Sequence, residues 1–163
     1  FKFLEANQEA KENTQLILIG STSEKHDGVF EKYKNKGNNL VSINKNLPFD
    51  TVYQLQYTVS INIILEAKSD ISPFLPGKFP HCVAANKKML VLGPEKSETR
   101  RLLGSDYEYW SEIDNVDVIS KLIEKLYFKW KENPNEMLLN RPGILDYLGA
   151  NNLKTIIDPI LND

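Results

Sequence analysis

Short, continuous apolar runs alternate along this chain with stretches whose apolar residues recur every three or four positions. The runs are Gln15-Leu16-Ile17-Leu18-Ile19-Gly20, Leu40-Val41-Ser42-Ile43, Ile61-Asn62-Ile63-Ile64-Leu65 and Met89-Leu90-Val91-Leu92. Runs of this length without polar alternation suit strands buried on both faces of a parallel sheet. Between them the pattern turns helical. Phe1 to Lys11 reads as a helix with Phe3, Leu4 and Ala10 inward. His26 to Lys36 reads as a helix with Val29, Phe30 and Tyr33 on one side, closed by Gly37-Asn38-Asn39, residues that tolerate left-handed backbone. Phe49 to Ser60 reads as a helix with Asp50 as its N-cap.

The second half continues the alternation. A helix is expected over Ser97 to Leu103, with Ser97 capping it and Glu98 in its first turn, and a short terminal strand over Tyr107 to Trp110. The strongest periodicity lies in Val116 to Glu132, where Val116, Ile119, Leu122, Ile123, Leu126 and Trp130 share one face and Asn133-Pro134 stops the helix. A last helix is expected over Ile144 to Leu161. Strand-helix alternation implies the α/β class: a Rossmann-like, doubly wound parallel sheet flanked by helices. In such sheets ligands bind beyond the carboxyl ends of the strands. The loops of interest are therefore Gly20 to Lys25, Asn44 to Phe49, Glu66 to Lys78 and Gly93 to Ser97.

Composition narrows the functional classes. The 163 residues suffice for one domain with a proper core, and a net charge of −2 provides no global basic field for nucleic acid or an anionic membrane. No apolar run approaches the roughly 20 residues that span a bilayer, and no signal peptide is visible, which fits a cytoplasmic protein. The chain begins at Phe1 without an initiator Met and reads as a fragment. The single cysteine, Cys82, precludes an internal disulfide, and its small apolar neighbours make it a buried helix residue rather than a nucleophile. Two histidines and this distant cysteine make no metal site. Neither a G-x-G-x-x-G nor a G-x-x-x-x-G-K-[ST] motif occurs, which argues against a dinucleotide-dependent dehydrogenase or a P-loop nucleotidase.

Candidate chemistry concentrates in Ser72-Pro73-Phe74-Leu75-Pro76-Gly77-Lys78-Phe79-Pro80-His81-Cys82-Val83-Ala84-Ala85-Asn86-Lys87-Lys88, between two strands. A loop containing Pro76, Gly77 and Lys78 enters a short small-residue helix, so Lys78 and unpaired backbone amides meet where a helix begins. Such a place favours an anion, and a phosphate-bearing ligand is the first to expect. Pro76 fixes the turn, and Gly77 is expected both to permit it and to let a ligand approach the backbone. Taken alone, Lys78 reads as a solvated loop lysine.

Leu75-Pro76-Gly77-Lys78, with Ala84, Lys87 and Met89-Leu90, resembles the donor-binding region of the C-terminal domain of GT-B-fold glycosyltransferases. The resemblance implies a domain that binds a nucleotide diphosphate sugar, with Lys78 pairing with the donor phosphate, and with Ser72, Pro76, Gly77 and His81 around it. It implies that the loop bearing Asn44 and Leu47 lies against the base. It implies no metal or other cofactor, and an acceptor glycan or lipid-linked sugar held by an N-terminal domain outside this chain. The setting would be polysaccharide synthesis in the cytoplasm, or at the inner face of the membrane. Two positions depart from the pattern: His81 and Pro73 stand where related enzymes commonly carry glutamate, the first of which bonds the donor ribose hydroxyls. A neutral histidine exchanges one hydrogen bond with a hydroxyl but lacks a carboxylate's two acceptors. Asn86 in place of glycine supports the same left-handed turn. The resemblance also implies that the last helix corresponds to the segment that, in whole family members, crosses back to pack on the N-terminal domain. In the isolated chain its Ile156, Ile157, Ile160 and Leu161 favour self-association into a homo-oligomer. The alternatives are a GT-B-fold sugar-nucleotide epimerase and a non-catalytic α/β nucleotide-binding or regulatory module.

Overall fold

The structure, a computed structural model, describes residues 2–161. Phe1, with which the first expected helix begins, lies outside them. The chain folds into two compact units, Phe1–Gln54 and Leu55–Asp163.

In the first unit the expected N-terminal helix is two helices, α1 (Lys2–Ala6) and α2 (Gln8–Asn13). Asn7 breaks them: its backbone is extended and its side-chain oxygen accepts the Ala10 N–H at 2.9 Å, so the residue caps α2 instead of continuing α1. Strand β1 (Leu16–Ile19) pairs in parallel with β2 (Leu40–Ile43), Leu16 opposite Leu40. Between them a 3₁₀ turn, Glu24–His26, leads into α3 (Asp27–Lys34). Among the described residues the unit's buried apolar ones are Phe3, Ala10 and Leu40. Asn39 is buried beside them. Its amide donates to the carbonyls of Lys11 (2.6 Å) and Thr14 (2.7 Å), and its own carbonyl accepts the Leu16 N–H at 2.7 Å. One expectation fails here: β1 is not buried on both faces. Ile17 and Leu18 are 38% and 37% exposed, because the sheet stops at two strands and only short helices accompany it.

Helix α4 (Phe49–Thr58) runs across the boundary between the units. Asp50 sits inside its first turn rather than capping it: the Val52 N–H already bonds the Pro48 carbonyl at 3.2 Å, which puts the cap at Pro48, two residues earlier.

The second unit is built on β3 (Ile61–Leu65), which leads through β4 (Ile71–Ser72) to α5 (Phe79–Ala84). Strand β5 (Lys88–Leu92) comes next, then β6 (Lys96–Ser97) and α6 (Glu98–Leu103). After β7 (Trp110–Ser111) come α7 (Val116–Glu132), a 3₁₀ turn at Pro134–Glu136, α8 (Pro142–Leu148) and α9 (Ala150–Leu161). Strand β5 lies between β3 and β7, and β4 pairs with β6; every strand pair named is parallel. This is the α/β class expected, with parallel sheets flanked by helices.

The core of this unit joins Ile64 of β3, Phe79, Cys82 and Val83 of α5, Met89, Leu90 and Val91 of β5, and Leu126 of α7. Helix α7 matches its expected span, and its Leu122, Ile123 and Trp130 pack on that core, while Val116 is exposed. The terminal strand falls at Trp110–Ser111 rather than Tyr107–Trp110. The Tyr107 N–H closes a turn on the Gly104 carbonyl, and its hydroxyl both accepts the Met89 N–H (2.9 Å) and donates to the Met89 carbonyl (2.6 Å). Burial holds that phenol up at about 12. The expected last helix is also two, α8 and α9, parted at Gly149, which is extended and donates to the Asp146 carbonyl. Among the described residues no helix is long and apolar enough to cross a membrane.

Candidate functional site

Because β3, β5 and β7 are parallel, their carboxyl ends share one edge, and the loops that leave it meet there. Leu65 pairs with Leu92, and Leu92 with Ser111, so Glu66, Gly93 and Glu112 begin the three loops side by side. The Glu66 N–H bonds the Leu92 carbonyl (2.8 Å), and the Gly93 N–H bonds that of Ser111 (3.1 Å). Trp110 donates its indole N–H to the Gly93 carbonyl at 3.1 Å. The Arg100 guanidinium lies 4.6 Å from the Trp110 ring centre and donates to the Tyr107 carbonyl. Lys68 in the first loop pairs with Asp114 in the third, an exposed ion pair.

The first two loops are unequal. Five residues, 66–70, face three, 93–95, before the two-residue ladder of β4 and β6 rejoins them, with Ser72 opposite Ser97. Ser97 then turns to capping, as expected, its hydroxyl accepting the Arg100 N–H at 3.2 Å. Beyond β4 the chain exposes Phe74 and reaches the turn expected to hold an anion. The Phe79 N–H bonds the Pro76 carbonyl at 2.8 Å, and Lys78 occupies the N-cap of α5 with an exposed side chain. His81 lies half-buried in the helix. The structure thus gathers Pro76, Gly77, Lys78 and His81 in one turn and helix, with Ser72 on the strand before them.

Two features of this turn differ from the expectation. Gly77 lies outside the left-handed region, and a Cβ on it would meet open space; the turn does not need glycine, though the space in front of it is free. Helix α5 itself has six residues, Pro80 brings no N–H, and the amide of Phe79 is already used, so the cradle of free amides is small. Cys82 is buried as expected. Burial pushes its thiol up to about 11, against the opposing charge of Lys78, and the Gln56 amide rests on its sulfur at 3.6 Å. Asn86, closing α5's turn at φ 50°, is left-handed as its sequence position suggested.

Asn44 and Leu47 belong to the first unit. The Asn44 side-chain oxygen accepts the Thr22 N–H at 2.9 Å, which ties the loop after β2 to the loop after β1; Leu47 is half-buried. In the loop after β1 the Ser23 hydroxyl accepts the Lys25 N–H at 3.4 Å. A shallow cavity of about 330 Å³ elsewhere in this unit is lined by Gln8, Lys11, Glu12, Gln15, Asn38 and Asn39.

One residue of the edge went unnoticed in the sequence. Glu66 is 7% exposed, and both its carboxylate oxygens are buried without a hydrogen-bond partner. Gly93 makes room for it: a Cβ there would stand 2.9 Å from the Glu66 Cβ. The only hint in the sequence was an acid placed directly after the apolar run Ile61 to Leu65.

No family model matches the chain, and no curated protein matches it in sequence. Solved structures match it in shape. A trehalose-6-phosphate synthase, OtsA, superposes with a TM-score of 0.63 at 10% identity, over 89% of this chain and 34% of that one. The E. coli trehalose-6-phosphate protein bound with UDP-2-fluoro glucose gives 0.61 at 12% identity, over 88% and 34%. An α,α-trehalose-phosphate synthase (UDP-forming) from Burkholderia xenovorans, in complex with glucose-6-phosphate, gives 0.61 at 10%, over 89% and 34%. The chain therefore has the fold of a Rossmann-like half of a GT-B glycosyltransferase, and it spans about a third of the length of the proteins it matches.

Proposed function

We propose that this chain is the donor-binding half of a glycosyltransferase and takes a nucleotide diphosphate sugar at the carboxyl edge of its parallel strands. The observation that carries the reading is the fold shared, over nearly nine-tenths of the chain, with structures one of which holds UDP-2-fluoro glucose. Lys78, exposed at the head of α5, is the charge offered to the donor phosphate. Open space at Gly77 lets the phosphate approach the backbone there. Pro76 shapes the turn, while Ser72 and His81 offer single hydrogen bonds beside it. Asn44 and Leu47 are assigned to the nucleotide base. Catalysis would rest on stabilising the leaving diphosphate with Lys78 rather than with a metal. The acceptor, a glycan or lipid-linked sugar, would be held by a further domain of a two-domain enzyme working in the cytoplasm on surface polysaccharide. By itself the chain binds donor and turns nothing over.

Calorimetric titration with UDP and GDP, on the wild type and on Lys78→Ala, tests this. Saturable binding that weakens about tenfold or more in the variant is expected, as for the loss of one charge-assisted bond. Equal affinity in both removes Lys78 from the site, and no binding at millimolar nucleotide overturns the donor reading. The scarcity of free amides at α5 and the lack of an acid at positions 73 and 81 favour a second reading, a non-catalytic α/β nucleotide-binding module. It predicts binding without turnover even in the presence of the remaining domain.

A further inference from the structure

Helix α9 carries five large aliphatic side chains and buries none of them. Leu153, Ile156, Ile157, Ile160 and Leu161 are exposed over 36% to 75% of their surface. At about 100° per residue they fall on one stripe of the helix. Together they offer roughly 500 Å² of apolar surface, at the upper end of what monomers leave in one patch. The helix is fastened at its start. The Leu153 N–H bonds the Gly149 carbonyl, and the Asn152 amide donates to the Tyr147 carbonyl at 2.7 Å. A notch of about 410 Å³ opens beside that start, lined by Leu145, Asp146, Gly149, Ala150 and Asn151.

We propose that a second copy of this chain covers the stripe, in an antiparallel pair of α9 helices related by a two-fold axis at Ile156. The charges select this occupant. Lys154 and Asp158 are the charged residues of α9; they stand one turn apart and flank the stripe on the same side. In an antiparallel pair like sides meet, so Lys154 of each copy reaches Asp158 of the other. The two contacts are equivalent, as an isologous interface requires. A parallel pair would set both charges against the uncharged side that carries Asn152 and Pro159. The same charges fix the register. With Lys154 opposite Asp158, Ile156 faces its own copy, Leu153 faces Ile160, and Leu161 comes level with Asn151, where the notch lies. Two stripes bury roughly 1,000 Å², the least that a specific interface takes, and the notch gives Leu161 a seat beyond that. A lipid surface suits the helix less well: interfacial helices line their polar face with Lys and Arg, whereas Lys154 is balanced here by Asp158. The pairing stands or falls independently of the donor-binding reading.

Sedimentation equilibrium of the whole chain, from micromolar to millimolar concentration, tests this. None of the side chains to be changed is buried, so the variants keep the fold. The wild type should show a monomer–dimer equilibrium with a Kd in the micromolar range, as suits an interface of this small size. Ile156→Asp sets two carboxylates face to face at the axis and should weaken association by about 100-fold or more. Lys154→Glu alone, or Asp158→Lys alone, turns two attractions into two repulsions and should weaken it about tenfold. The double variant Lys154→Glu/Asp158→Lys should return to the wild-type Kd, and an equal mixture of the two single variants should form mixed dimers. Charge variants without effect, or a double variant that fails to rescue, overturn the antiparallel pairing. A dimer indifferent to Ile156→Asp, or an assembly larger than a dimer, overturns it too. A chain that stays monomeric at millimolar concentration overturns the second copy as occupant and leaves the stripe to a different protein surface.

Discussion

The two units use similar local pieces and are held together very differently. Among the described residues the first has three buried apolar side chains, and a buried asparagine does much of the joining. The second assembles aromatic, aliphatic and sulfur-bearing residues from three strands and several helices into one core. Each unit contains parallel strands whose sequences look equally apolar, yet Ile17 and Leu18 face solvent over a third of their surface while Ile64 and Val91 are fully buried. An apolar run specifies a strand; the number of partners around it decides whether both its faces are covered.

Four measurements would break or sharpen this contrast. The largest effect belongs to the second unit. Phe79→Ala, at a fully buried site, should cost about 3–5 kcal/mol by urea unfolding, and Leu40→Ala in the first unit should cost less. Equal costs would erase the distinction. Next comes Asn39→Ala, which leaves the Lys11 and Thr14 carbonyls without their donor and should cost about 1–3 kcal/mol. In amide exchange the loss should stay within β1 and β2, because local opening there precedes global unfolding. Tyr107→Phe should cost about 1–2 kcal/mol by removing the hydroxyl that bridges both backbone groups of Met89. It should also change the alkaline limb. Burial raises the phenol from 10 to about 12, so the folded state holds that proton more firmly. Its contribution is complete below about pH 10 and is lost as the pH rises towards 12. The variant should unfold less steeply over that window. The smallest effect is Asn115→Ala, about 1 kcal/mol, from loss of the α7 cap on Val118.

How much the sequence disclosed follows the same division. Strand β3 and helix α7 were legible to the residue, the first because an apolar run is bounded on both sides by polar or small residues, the second because its period never lapses over 17 residues. The breaks at Asn7 and Gly149 were not, since each interrupts a stretch whose apolar spacing continues across it; there one side-chain cap or one extended glycine outweighs periodicity. The turn from Pro76 to Lys78 was read at its true place, but of the free amides assigned to it that of Phe79 is spent on the Pro76 carbonyl and Pro80 has none. Glu66 was invisible for a further reason. Its meaning lies in what it lacks, and a missing partner becomes evident only when every neighbour has been placed.

The stretch from Met137 to Asn140 has a consequence for where this protein can be cut. After α7 the chain doubles back beside the entry to β5. The Met137 carbonyl accepts the Lys88 N–H, the Leu139 N–H donates to the Asn86 carbonyl, and the Asn86 side chain accepts the Asn140 N–H. Met137, Leu139 and Ile144 are buried there, whereas α9 contributes no buried residue. The stretch works as a stitch through the hem of the central strand, so a cut beyond it and a cut before it have opposite effects. A chain ended after Leu148 should keep the cooperative melt of the second unit. One ended after Glu136 should lose it, although both retain every strand of the sheet.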